Sequence, residues 1–136
     1  MVRKKLIVVL AGLAMVLSMA SQAFADCRTK IDLPDTALGA ATDASGTAEV
    51  RARTRDGFVR QRFKVSMDAR VADGTVFAVF VDDQLAGTIT IVLGDGELEL
   101  NNNNDKILPT AVDPVCSIKT VEVRNGGGMT LLQGSF

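Results

Sequence analysis

The stretch Gly74-Thr75-Val76-Phe77-Ala78-Val79-Phe80-Val81-Asp82-Asp83-Gln84-Leu85-Ala86-Gly87-Thr88-Ile89-Thr90-Ile91-Val92-Leu93-Gly94-Asp95-Gly96 decides the fold. Two runs rich in β-branched and aromatic residues flank a short polar break and are bounded by glycines, which predicts a β-hairpin. Phe77, Val79 and Val81 point to one side of the first run, Val76, Ala78 and Phe80 to the other. A strand apolar on both sides belongs in the middle of a sheet, covered above and below. The second run alternates, with Leu85, Ile89, Ile91 and Leu93 expected on the core face and Thr88 and Thr90 opposite.

A second hairpin precedes it. Gly46 to Thr54 and Phe58 to Ala69 both alternate, and Asp56-Gly57 between them supplies the two positive-φ positions of a two-residue turn. That turn sets the register: Arg55 opposite Phe58, Arg53 opposite Arg60, Arg51 opposite Arg62, Glu49 opposite Lys64. Val50 with Phe63 and Thr54 with Val59 fall on the other, core-facing side. Further on, Asp95 to Asn101 alternates, with Glu97 and Glu99 outward and Leu98 and Leu100 inward. The segment from Asn101 through Pro114 reads as a broken loop, and Ser117–Asn125 and Met129–Phe136 read as two last strands around Gly126-Gly127-Gly128.

The expected architecture is all-β: an antiparallel sandwich of seven to eight strands, immunoglobulin-like, occupying 46–136, with no helix anywhere after the signal peptide. Residues 26–45 read as an irregular leader with one possible edge strand.

Ahead of it, Arg3, Lys4 and Lys5 precede the apolar run Leu6–Leu17, and Ala23-Phe24-Ala25 carries an Ala-x-Ala cleavage signal. This is the pattern of a secretory signal peptide over 1–25, and it places the protein in the periplasm or outside the cell. Its removal takes three basic residues and no acid, leaving 12 basic against 16 acidic residues and a net charge of −4. Such a balance argues against a nucleic-acid binder. Both cysteines, Cys27 and Cys116, would then meet an oxidising compartment, and a disulfide between them is expected.

The segments Ser45-Gly46-Thr47-Ala48-Glu49-Val50-Arg51, Arg62-Phe63-Lys64-Val65, Phe77 to Asp82 and Gly87-Thr88 resemble those of small uncharacterised secreted bacterial β-proteins. The resemblance implies an exported sandwich and carries no catalytic residue over.

The chain has no histidine, so the Ser-His and Cys-His nucleophile pairs and the commonest metal ligand are missing. The expectation is therefore a non-catalytic binding or structural protein of the bacterial cell envelope, with no cofactor. A carboxylate-dependent hydrolase is the enzymatic alternative. Three features are candidates for function. Arg51, Arg53, Arg60, Arg62 and Lys64 would share one face and offer a site for an acidic envelope ligand or partner, unless Glu97 and Glu99 on a neighbouring strand neutralise them. Asp95, Glu97, Asp105 and Asp113 supply oxygens for calcium in a calcium-stabilised adhesive module. The last strand offers an edge for strand-to-strand association, with Phe136 as a plug of the core.

Overall fold

The structure, a computed structural model, describes residues 26–136; the expected signal peptide and its cleavage site lie outside the described residues. Eight strands follow one another: β1 (Cys27–Leu33), β2 (Ser45–Arg55), β3 (Phe58–Asp68), β4 (Val76–Val81), β5 (Gln84–Thr90), β6 (Asp95–Asn101), β7 (Thr120–Arg124) and β8 (Thr130–Ser135). They form two antiparallel sheets, ordered β1-β2-β3-β6 and β5-β4-β7-β8, stacked as a sandwich. The chain crosses between sheets after β3, β5 and β6, so neither sheet is a simple meander.

Turn chemistry and side-chain parity place the strands. Asp56 and Gly57 take φ of 53° and 78°, and the register across β2 and β3 pairs Arg51 with Arg62 and Val50 with Phe63, as the two-residue turn requires. A turn of the same kind joins β4 to β5 through Asp82 and Asp83, at φ of 47° and 65°. Aspartate tolerates this left-handed region because its short side chain bonds locally. The Asp82 carboxylate accepts hydrogen bonds from the backbone N–H groups of Lys119 and Thr120 and so fixes where β7 begins.

The core lies between the sheets. Phe63 and Val65 from one side meet Val79, Val81, Ile89, Val121, Val123, Leu131 and Leu132 from the other, all fully buried. Phe136 packs partly buried against this cluster. Sheet β5-β4-β7-β8 is less covered outside than the apolar first run implies. β4 is central, between β5 and β7, but Val76 is 50% exposed and Ala78 and Phe80 are half-buried. Among the described residues no second layer covers that side; the Arg124 guanidinium lies over the Phe80 ring, 4.0 Å from its centroid. Leu85 also departs from its expected core position. The ladder slips between Val79 and Phe80, so an extra residue enters β5, Ala86 turns inward and Leu85 outward. Leu93 leaves the strand altogether, exposed in a turn with Gly94 at positive φ.

Residues 26–45 are more ordered than a leader. β1 pairs with β2 along its whole length, and Ala37–Ala41 forms one helical turn, α1, capped by the Thr36 hydroxyl accepting from Gly39 N–H. The possible edge strand is thus present as β1, with its polar residues facing solvent and Cys27, Ile31 and Leu33 packed inward, whereas the helical turn was not expected, since no helix was read after the signal peptide. This segment also occupies the edge of β8: Thr36 N–H donates to Leu131 C=O, Gln133 N–H to Pro34 C=O, and Asp35 bridges Leu132. The last strand is therefore not the open edge anticipated for association. Gly39 sits so close to β8 that a Cβ there would lie 2.2 Å from the Leu131 carbonyl oxygen.

Two 3₁₀ turns, Thr110–Val112 and Val115–Ser117, order the loop expected to be irregular. The Cys27–Cys116 disulfide ties this loop to β1 across 89 residues. Closing a loop that long stabilises the fold by about 4–5 kcal/mol in the chain-entropy treatment. The double variant Cys27→Ser/Cys116→Ser is expected to lose stability of that order in urea unfolding while keeping a β-type circular-dichroism spectrum. Gly39→Ala is expected to cost about 1–3 kcal/mol, since its obstacle is backbone rather than a movable side chain.

Candidate anion-binding face

Outward residues of β1, β2, β3 and β6 form rows across the sheet. Lys30, Glu49, Lys64 and Glu99 make one row; Arg28, Arg51, Arg62 and Asn101 make the next; Arg53 and Arg60 lie beyond it, with Arg55 and Phe58 at the turn. Rows are separated by about 6.7 Å along the strands, and strands by about 4.8 Å. Three guanidinium groups thus stand side by side in one row, with a like-charged pair immediately below.

The acids of β6 reach only part of this face. Lys64 Nζ lies 3.4 Å from Glu97, and Arg62 lies 3.8 Å from Glu49 and 3.7 Å from Glu99. The neutralising ladder expected from Glu97 and Glu99 is present at Arg62 and Lys64 and stops there. Among the described residues no carboxylate forms an ion pair with Arg51, Arg53, Arg55 or Arg60. These four, with Arg62, Gln61 and Asn103, line a shallow cleft of about 280 Å³. Arg62 Nε is shielded from solvent without a hydrogen-bond acceptor.

Gln61 holds the floor of this cleft. It points into the sandwich between Val59 and Phe63 and is 8% exposed. Its amide donates to Asp113 Oδ1 at 3.1 Å and accepts from Val115 N–H at 2.9 Å. Asn102 completes the clamp, accepting from Gln61 N–H and donating to Val59 C=O. The 102–117 segment is thereby pinned under the arginines, which brings Asn103 to the cleft wall.

Arg28 and Arg55 also belong to this face. Arg55 was legible, since the register that aligns Arg53 with Arg60 also puts Arg55 on the same side. Arg28 was not, because nothing in Cys27–Leu33 announces pairing with β2.

The calcium candidates do not converge. Asp95 and Glu97 stand at the start of β6, beside Asp68 and across an open cleft of about 760 Å³ from Asp32. Asp105 lies beyond the other end of that strand, roughly 20 Å away by strand rise. Asp113 is engaged with Gln61. The expected clustering fails because seven residues of extended chain separate acids that a loop would have gathered. Among the described residues no group of three His, Cys, Asp or Glu is placed to hold a metal ion.

Asp68 and Asp95 are direct cross-strand partners. A hydrogen bond from one carboxyl to the other, then a slight desolvation of this exposed side chain and the charge of Asp95, raise the Asp68 pKa above its ordinary value, against a lowering bond from Ser45. A raised carboxyl stabilises the fold while protonated and loses that contribution as pH climbs through the folded-state value.

No protein-family model matches the chain, and no curated protein or solved structure shows significant similarity to it.

Two outcomes follow from this geometry. Asp68→Asn should raise the melting temperature relative to wild type at pH 7, and the difference should vanish below the ordinary aspartate range. Gln61→Leu should cost about 1–3 kcal/mol in urea unfolding, because it strands the buried Val115 N–H.

Proposed function

We propose that this protein is an exported, non-catalytic binding module of the cell envelope whose arginine-rich end takes an acidic ligand. The observation that carries the reading is the absence of ion-pair partners, among the described residues, for Arg51, Arg53, Arg55 and Arg60 around one cleft. Like charges set directly opposite one another in a ladder oppose folding unless a counter-charge arrives. Planar guanidinium groups are suited to meet carboxylate, sulfate or phosphate oxygens two at a time.

The disulfide and the Ala-x-Ala signal support export. The strand order supports an immunoglobulin-like reading. With β2, β3 and β6 read as strands A, B and E, and β4, β5, β7 and β8 as C, C′, F and G, the neighbours match those of that fold, although among the described residues no strand stands at D and β1 is added outside A. In such sandwiches binding surfaces are commonly built on a stable frame, and here Gln61 and the Asp56-Gly57 turn set the frame.

The test is retention on an array of acidic glycans and lipopolysaccharide. Arg53→Ser/Arg55→Ser/Arg60→Ser is expected to weaken binding by roughly tenfold or more, and wild-type binding is expected to fall as salt rises. Equal retention of the two proteins would sink the reading. N-terminal sequencing of the exported product should begin at Asp26; an intact Met1 would remove the export signal from the account.

A further inference from the structure

Two exposed apolar side chains share the arginine end. Phe58, 77% exposed, projects from the tip of the β2–β3 turn. Ile107, 91% exposed, stands in the loop after β6, between Lys106 and the buried Leu108 that anchors it. A second cleft, of about 370 Å³, joins these segments: Arg55, Phe58 and Arg60 line it with Asn104 and Asp105. Ile107 is two residues past Asp105, within about 7 Å of chain. Phe58 lines the second cleft and yet is largely exposed, and Ile107 lines neither cleft; side chains this open suit a soft, flat surface better than a peptide held in a groove.

The opposite end of the sandwich makes the comparison sharp. It too exposes apolar residues, Val92 and Leu93, but there Asp73 accepts the Leu93 N–H and Asp68 and Asp95 stand close by. An anionic surface would be repelled at that end and attracted at the arginine end. At the arginine end Arg28, Arg51, Arg53, Arg55 and Arg60 outnumber Asp56 and Asp105, and Asp26 is occupied by the Thr54 N–H. A chain whose net charge is negative nevertheless presents one cationic pole.

We infer that this end docks on an anionic phospholipid surface, with Phe58 and Ile107 entering the head-group layer and the arginines gripping lipid phosphates. The inference rests on the anion-binding reading above and names its ligand. Long arginine stems lie along apolar surface while the guanidinium reaches the phosphate level, and an apolar tip adds what charge alone does not supply. The roles divide: arginines give attraction to any polyanion, whereas Phe58 and Ile107 contribute only where acyl chains are present.

The experiment uses the oxidised Asp26–Phe136 chain, which contains both sheets and the disulfide. Three probes are compared: vesicles of phosphatidylcholine, vesicles of equimolar phosphatidylcholine and phosphatidylglycerol, and soluble dextran sulfate. Wild type is expected to cosediment with the phosphatidylglycerol vesicles, to ignore phosphatidylcholine and to bind dextran sulfate. Phe58→Ser/Ile107→Ser should lose about tenfold or more on the vesicles and nothing on dextran sulfate. Arg53→Ser/Arg55→Ser/Arg60→Ser should lose on both. Both variants change exposed side chains, and matching melting temperatures establish that they fold. Dextran sulfate binding without vesicle binding, or vesicle binding unchanged in Phe58→Ser/Ile107→Ser, overturns the membrane inference and leaves the anion site standing, whereas an arginine variant that binds both anionic probes as wild type does removes both readings. Failure on both anionic probes removes the two together.

Discussion

The structure depends on the parity of one hairpin. The Asp56-Gly57 turn permits a single register between β2 and β3, and in that register each step along the strand alternates between core and water. Phe63 and Val65 become fully buried because Arg62 and Lys64 are forced outward. A slip of one residue would bury guanidinium groups and expose the largest core side chain. Core formation and the arginine rows are consequently two faces of one constraint, and the second cannot be removed by re-registering without losing the first.

What surrounds the hairpin decides how its charges are met. β6 lies against β3 and carries Glu97 and Glu99 outward, which answers Lys64 and Arg62. Beyond Asn101 the chain leaves the sheet, so no acid-bearing strand continues beside Arg60. The loop that takes its place brings Asn102 and Asn103, whose amides hold backbone and wall the cleft without supplying a counter-charge. The charge imbalance at that end is thus a consequence of where β6 stops.

Much of this was legible in the residues, and unevenly. The Asp56-Gly57 signal and two independent alternations gave the β2–β3 pairing pair by pair, because turn length and hydrophobic period are both local. The disulfide was legible because only two cysteines exist. Leu85 was misplaced, because an extra residue in β5 inverts the alternation without leaving a residue-type signal. The outer coverage of β4 was overestimated: Phe80 is apolar enough to suggest a covering layer, yet a single arginine stem and guanidinium suffice to shield its ring. Cys27–Leu33 offered no more than a possible edge strand, because an edge strand needs few apolar residues.

By itself the sequence determined an all-β chain, the inward and outward faces of its central hairpins, the cysteine pair and the separation of arginines from core residues, since each is set by neighbours a few positions apart. The tertiary structure alone decided which strands lie side by side. That put Arg28 next to Arg51, parted Asp95 from Asp105, closed the β8 edge with Pro34–Thr36 and brought Gln61 under the loop that carries Asn103. These are contacts between segments tens of residues apart, and strand order, unlike strand parity, leaves no period in the sequence to be read.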